Sequence, residues 1–188
     1  MKRHSISNFR LVCKDQVKDT GVALQNHKME GVIQIYSAAN VTVEGKEVGV
    51  IVMDVLEESW TSYLQKSKGD VPFERFLNQI IRLVGALEAL RENGYIHDNL
   101  GTPNIMLCKE GKAHLIDIDS LPLSTGECAD YKIYSANRVL HGFLGDFVRR
   151  HFPRDHPIRD ALQNCEMDSF KLYKESLIQI LKTYGTPI

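Results

Sequence analysis

A helix between Pro72 and Asn93 constrains the fold of this chain more than any other sequence feature. Its apolar residues recur at helical spacing and form one stripe, made up of Phe73, Phe76, Leu77, Ile80, Val84 and Leu87. Proline suits the first turn of a helix, and an Asn-Gly pair commonly ends one. A stripe of this width is typical of a helix that buries one whole face. The chain must therefore supply a core for a long helix.

The segment that follows the helix predicts a polar loop and then a β-hairpin. The loop covers residues 97–104, and strand-like residues follow at 105–107 and 113–118. Glu110-Gly111-Lys112 supplies the turn between these two strands. Helix, loop and hairpin are thus consecutive, with no spacer between them.

The front of the chain is rich in strand-forming residues. Residues 32–43 and 47–56 are rich in Val and Ile and meet at Gly45, so we predict two strands joined by a turn. Residues 9–14 alternate weakly and predict another strand, and residues 21–29 predict a short helix. The front of the chain is therefore expected to be mainly β-structure.

Helical patterns dominate the rest of the chain. Residues 135–151 and 168–184 predict helices, and Pro153 and Pro157 separate them. The fold class is therefore α+β, with a small β-rich front and a mainly helical remainder. A chain of 188 residues with 43% hydrophobic content can bury one core, so we expect residues 1–188 to form a single domain.

Charge and composition exclude several classes of protein. The net charge is −1, which gives no basic field for nucleic acid or for an anionic membrane surface. No apolar run approaches the roughly 20 residues of a membrane span. The N-terminus has no apolar segment typical of a secretory signal. The cysteines are scattered, at Cys13, Cys108, Cys128 and Cys165, and are typical of reduced thiols. We expect a cytoplasmic protein, or one delivered into a host cytoplasm.

The polar loop carries a motif in which His97, Leu100 and Asn104 keep a defined spacing. This spacing resembles the H-R-D-L-x-x-x-N catalytic loop of the protein kinase-like superfamily, whose Asp accepts the substrate hydroxyl proton and whose Asn holds Mg²⁺. Asp117 resembles the metal-binding Asp of D-F-G. Asp119 resembles the additional acid of related small-molecule phosphotransferases. The resemblance covers residues 9–150, and the short chain is similar to the small effector kinases of bacterial pathogens.

The resemblance implies a kinase-like fold with a reduced β-rich small lobe. Residues 1–56 would form that lobe and the hinge, and residues 57–188 would form a mainly helical large lobe. Residues 52–56 resemble the hinge, which would place Met53 beside a nucleotide. Lys14 is similar to the lysine that pairs with ATP phosphates, although it also fits an ordinary solvent-facing strand lysine. Only 13 residues precede Lys14, too few for the strands and glycine-rich loop that cover those phosphates.

The resemblance also assigns a cofactor site. ATP would contact Lys14, Met53, Asn104 and Asp117, and Mg²⁺ would be held by Asn104, Asp117 and Asp119. Amide and carboxylate oxygens are the hard ligands that Mg²⁺ prefers. Because the phosphate cover is missing, we expect binding of ATP and Mg²⁺ to be weak or lost. The alternative is that Asn104 and Asp117 are ordinary turn and strand-end residues without a metal.

The catalytic position of the loop is altered. Asn99 stands where the resemblance requires the catalytic Asp, and an amide has no useful basicity at neutral pH. His97 keeps its place in the motif. Asp98 could serve as the base after a shift of one residue, although neighbouring side chains of an extended loop point in different directions.

These residues lead to one functional expectation and two alternatives. The expectation is a pseudokinase, or strongly reduced kinase, that acts by binding a protein partner such as a kinase or a kinase substrate. The first alternative is an active minimal kinase that transfers the γ-phosphate of ATP to a protein hydroxyl. The second is a structural fold that needs no nucleotide.

Two surfaces are candidates for the partner. A reduced small lobe should expose strand edges and apolar surface, so we expect an interaction face at residues 9–12 and 32–36, for a second copy or for another protein. A basic cluster further along the chain fits either a solvated helix end or a docking patch for an acidic partner. It consists of Arg149, Arg150, His151, Arg154 and Arg159.

Overall fold

The computed structural model describes residues 9–12, 24–25, 27–66, 71–118, 121–122 and 127–185. Lys14 and Asp119 lie outside these residues, so the roles expected of them stay predictions. The described chain is α+β, with short sheets in its first two thirds and helices at its end, as the sequence predicts.

The front of the chain forms a three-stranded antiparallel sheet. Its strands are β1 (Phe9–Val12), β2 (Ile35–Val43) and β3 (Lys46–Met53), in the order β1-β3-β2. Glu44 and Gly45 connect β2 to β3 with φ values of 50° and 76°, the tight turn that matches the twist of a hairpin. The predicted turn at Gly45 is confirmed, whereas β2 starts at Ile35 rather than at residue 32.

The segment before β2 joins the front sheet to the hairpin. Leu115 donates its backbone N–H to Gly31 O at 2.8 Å, and Ile33 donates to Leu115 O at 2.9 Å. Gly31 has a φ of +78°, and an added Cβ would lie 2.9 Å from the Cβ of Ala86. Only glycine fits such a close approach at positive φ. Residues 27–29 are not helical, so the helix predicted at 21–29 does not reach Met29.

Two small sheets and two helices follow. The helices are α1 (Trp60–Lys66) and α2 (Phe73–Glu92). One sheet has the order β4-β6-β7 and the other pairs β5 with β8. Their strands are β4 (Glu58–Ser59), β5 (Tyr95–Ile96), β6 (Ile105–Leu107), β7 (Ala113–Leu115) and β8 (Leu121–Pro122). The predicted hairpin is confirmed, but its second strand ends at Leu115 and not at residue 118.

Three helices complete the described chain. They are α3 (Glu127–His151), α4 (Ile158–Gln163) and α5 (Phe170–Tyr184). The sequence prediction started α3 too late, at residue 135, and missed α4. Ser169 caps α5 by accepting a hydrogen bond from Leu172 N at 3.1 Å.

The helix α2 lies at the centre of the core. Its predicted stripe is confirmed, because every stripe residue except the partly exposed Phe73 is buried. The ring of Trp60, which is fully buried, lies 5.6 Å from the ring of Phe76. Gln79 accepts a hydrogen bond from Ala113 N at 2.7 Å and so ties α2 to β7. No helix in the described residues is long and apolar enough to cross a membrane.

Candidate functional site

The loop between β5 and β6 is fastened to the end of the hairpin through Ile116. His97 is buried, and its Nε2 lies 3.0 Å from the carbonyl oxygen of Ile116. Because a carbonyl can only accept, the proton must be on Nε2. Ile116 also donates its backbone N–H to Asn104 O at 3.0 Å. His97 and Asn104, which open and close the loop, therefore bind the backbone of the same residue.

Asn104 also closes the loop on itself. Its Nδ2 donates to Asn99 O at 2.8 Å, and its backbone N–H donates to Gly101 O at 3.0 Å. The short 3₁₀ helix Thr102–Asn104 makes this return possible, with Pro103 in its first turn. The side chain is buried, with 8% of the residue exposed. These bonds fix the orientation of the Asn104 amide, a requirement for any ligand role.

Asp117 directly follows Ile116 and adopts a left-handed backbone conformation. Its φ is 56°, which is uncommon for a residue other than glycine and is best tolerated by Asn and Asp. The strand predicted over 113–118 would have given it an extended backbone, so that part of the prediction is wrong. Unusual backbone conformations cluster at functional sites, which makes Asp117 a candidate functional residue.

Asp98 and Asn99 are exposed on the side of the loop that faces α3. Asp98 Oδ1 lies 2.7 Å from Lys132 Nζ, and 41% of the Asp98 side chain remains exposed. An open groove of about 340 Å³ separates residues 97–100 from Tyr131, Lys132, Ser135 and Val139 of α3. Sequence reasoning missed Lys132, because it placed the start of α3 after this residue.

The described residues offer few ligands for a metal ion. They contain no group of three or more His, Cys, Asp and Glu residues that could hold one. Asn104 and Asp117 supply an amide and a carboxylate from either side of Ile116, and these donors suit Mg²⁺ chemically. Asn104 and Asp117 are therefore the candidate metal ligands among the described residues.

The expected hinge lies between the two larger sheets. Met53 ends β3, is partly buried and packs against the core. Asp54 N donates to Gln34 O at 3.1 Å, and Glu57 N donates to Leu107 O at 2.9 Å. The Tyr36 hydroxyl donates to Asp54 Oδ1 at 2.5 Å, and this bond raises the pKa of Tyr36. Backbone hydrogen bonds therefore hold residues 54–57 at both ends, as expected of a segment that connects the front sheet to the rest of the chain.

The predicted interaction face at residues 32–36 needs a correction. Val32, Ile33 and Ile35 are buried, so their side chains cannot contact a partner. They are buried because this segment packs between the front sheet and the hairpin. Only Tyr36 is well exposed there, at 62%. Residues 9–12 form an outer strand of the described sheet.

The basic cluster is partly used within the protein. Arg159 donates to Phe152 O at 2.9 Å and to Pro153 O at 2.8 Å, which satisfies carbonyls at the end of α3. Arg149 pairs with Asp146. Arg150, His151 and Arg154 remain exposed. Arg149 and Arg159 are thus engaged within the protein, and a docking role for the exposed residues stays a prediction.

Neither a comparison with protein-family models nor one with curated proteins finds a match for this chain. Functional inference therefore depends on the chain's own residues and their geometry.

Proposed function

We propose that this chain is a kinase-like protein with a degenerate catalytic loop, a pseudokinase that acts by binding a protein partner. The observation that carries the proposal is a pair of hydrogen bonds to the backbone of Ile116. Its carbonyl oxygen accepts from His97 Nε2 at 3.0 Å, and its N–H donates to Asn104 O at 3.0 Å. Loop and hairpin end thereby form one hydrogen-bonded unit with Asp117 beside it. A kinase-like loop needs such a unit, because phosphoryl transfer depends on positioning and on metal-assisted charge neutralisation.

The order of the elements supports the same proposal. A three-stranded front sheet leads from β3 through residues 54–57 to the helical part of the chain. The long helix α2 then runs directly into the loop and the hairpin. Fold-level likeness alone never establishes an activity, so the assignment depends mainly on the loop.

The residues at the reacting position favour binding over transfer. The amide of Asn99 cannot accept the proton of an attacking hydroxyl. The neighbouring carboxylate of Asp98 is already bound by Lys132 at 2.7 Å. Neither residue is therefore free to act as a general base. We expect the groove beside them to bind a partner without transferring phosphate to it.

The proposal includes weak binding of ATP with Mg²⁺. Asn104 and Asp117 would hold the metal, with Asp119 as a further ligand, while Met53 and Lys14 would contact the nucleotide. When bound, the metal would neutralise phosphate charge.

A second candidate function is an active minimal phosphotransferase with Asp98 as its base. One observation favours it: 41% of the Asp98 side chain is exposed, and the residue lines the open groove. A hydroxyl entering that groove could reach the carboxylate if Lys132 released it.

A thermal-shift series separates these functions. The whole chain is heated with Mg²⁺ alone, ATP alone and both together, and transfer of γ-phosphate is followed with labelled ATP. We expect a small shift that requires both ATP and Mg²⁺, without measurable transfer. Rapid transfer that Asp98→Ala abolishes would establish the second candidate. Absence of any shift at millimolar ATP and Mg²⁺ would contradict the kinase-like proposal and favour a purely structural fold.

A further inference from the structure

The strand β2 is an outer strand of the front sheet in the part of the chain that the structure describes. All of its pairing is with β3, in a register that runs from Ile35 opposite Met53 to Val43 opposite Lys46. No other described strand pairs with it. In an antiparallel sheet, backbone groups point alternately to the two sides of a strand. The side of β2 away from β3 therefore presents a row of donors and acceptors.

This strand lacks the features that usually protect a sheet edge. Natural edges carry lysine or proline, or they are very short. β2 has nine residues and contains neither a charged residue nor a proline. Its only irregularity is a register shift between Ile35 and Ser37, at one end. The other outer strand, β1, has four residues and includes Arg10.

Apart from Tyr36, which is 62% exposed, the exposed side chains of β2 are small or β-branched. Val41 and Val43 expose 38% and 51% of their surface, and Ala39 is also exposed. Every second residue of the strand lies on the same face, and on one face these residues are Ser37, Ala39, Val41 and Val43. An uncharged outer strand of this kind readily accepts another strand.

We propose that β2 pairs antiparallel with β2 of a second copy of this chain, with the two Ala39 residues opposite each other. In this register Ser37 lies opposite Val41 of the second copy, so a small side chain faces a larger one at both positions. Such cross-strand pairs are the units that stabilise a sheet. No like charges meet within the paired strands, and the net charge of −1 per chain gives little repulsion between copies. The product is a continuous six-stranded sheet built from two three-stranded sheets.

This inference replaces the interaction face expected at residues 32–36 with one at residues 37–43. It depends on the front sheet alone and not on the chemistry of the loop. Loss of nucleotide binding would leave it intact, and a monomeric chain would leave the proposed function intact.

The test is the oligomeric state of the whole chain, measured by sedimentation velocity over a range of concentrations. We expect a reversible dimer. Ala39→Lys places two ammonium groups opposite each other, and should raise the dimer dissociation constant about five-fold or more. The matched control is Val55→Lys, because Val55 is 45% exposed and lies outside the sheet. This control should leave the dissociation constant unchanged.

Charge complementation identifies the register. A mixture of Ala39→Lys and Ala39→Glu chains should form a heterodimer tighter than either homodimer, because only pairing at Ala39 brings these residues together. Hydrogen exchange of the unaltered chain gives a check without mutation, since amide protection at residues 37–43 should rise with concentration. The proposal is overturned by a strictly monomeric chain, by equal effects of the two lysine variants, or by exchange that does not depend on concentration.

Discussion

Asp98 Oδ1 lies 2.7 Å from Lys132 Nζ, so the carboxylate next to Asn99 is held by a helix that begins beyond the hairpin. The two side chains expose 41% and 23% of their surface, respectively. Ion pairs with this much exposure contribute only about 0–1 kcal/mol to stability. The main consequence of the pair is therefore the direction in which it holds the Asp98 side chain. Under the proposed function, this makes Asn99 the better position at which to restore a base.

Replacing Asn99 by Asp should raise phosphoryl transfer. A positioned base contributes about 10²- to 10⁴-fold to such a reaction, so a gain in this range is expected if ATP and Mg²⁺ still bind. Transfer of labelled γ-phosphate measures it. Asn78→Asp is the matched control, since Asn78 is exposed on α2. Equal rates for Asn99→Asp, the control and the native chain, with nucleotide bound in all three, would contradict the role assigned to position 99.

Replacing Asp117 by Ala should remove the dependence of ATP binding on Mg²⁺. Under the proposed function Asp117 is one of three metal ligands, and its loss leaves only Asn104 and Asp119. The shift in melting temperature with ATP and Mg²⁺ should then fall to the value with ATP alone. Asp155→Ala, in the exposed connection between α3 and α4, should behave as the native chain does. A metal-dependent shift that survives Asp117→Ala would exclude Asp117 as a ligand.

Replacing Ile80 by Ala should lower the free energy of unfolding by about 2–5 kcal/mol, because Ile80 is fully buried and its truncation leaves a cavity in the core. Urea denaturation measures the change. Ile81→Ala, at a partly exposed position one residue on, should cost less. A loss below about 0.5 kcal/mol at Ile80, the size typical of surface sites, would show that the buried face of α2 is assigned wrongly.

Acidification should destabilise the protein through its half-buried histidines. Burial lowers the pKa of His141 from its ordinary value of 6.5, and burial also lowers that of His114. The unfolded chain therefore binds more protons than the folded chain between the folded pKa and about 6.5. Stability should accordingly fall as the pH drops through this range.

Urea midpoints at pH 7.5 and 5.5 measure this loss. In His141→Gln the loss on acidification should be smaller than in the native chain, because one of the two histidines no longer takes up a proton. His151→Gln, at an exposed position at the end of α3, is the control. An unchanged acid response in His141→Gln would contradict the assignment to His141.

The helix α2 shows how much of this fold is readable from the sequence. The spacing of Phe76, Ile80 and Leu87 predicted both the helix and its buried face, because periodicity is a local property. The turn at Gly45 was predictable for the same reason, since turn chemistry depends on adjacent residues. The start of α3 at Glu127 was not predicted.

By itself, the sequence determined the α+β class, the central helix and the spacing of His97, Asn99 and Asn104, because each depends on neighbours along the chain. Only the tertiary structure decided that His97 and Asn104 meet at Ile116, that Lys132 holds Asp98, and that Val32 and Ile35 are buried. These relationships join residues far apart in sequence, and packing selects them among many alternatives of similar local energy. No local pattern encodes such a choice, so the charge beside Asn99 and the outer strand of the sheet could be identified only in the folded chain.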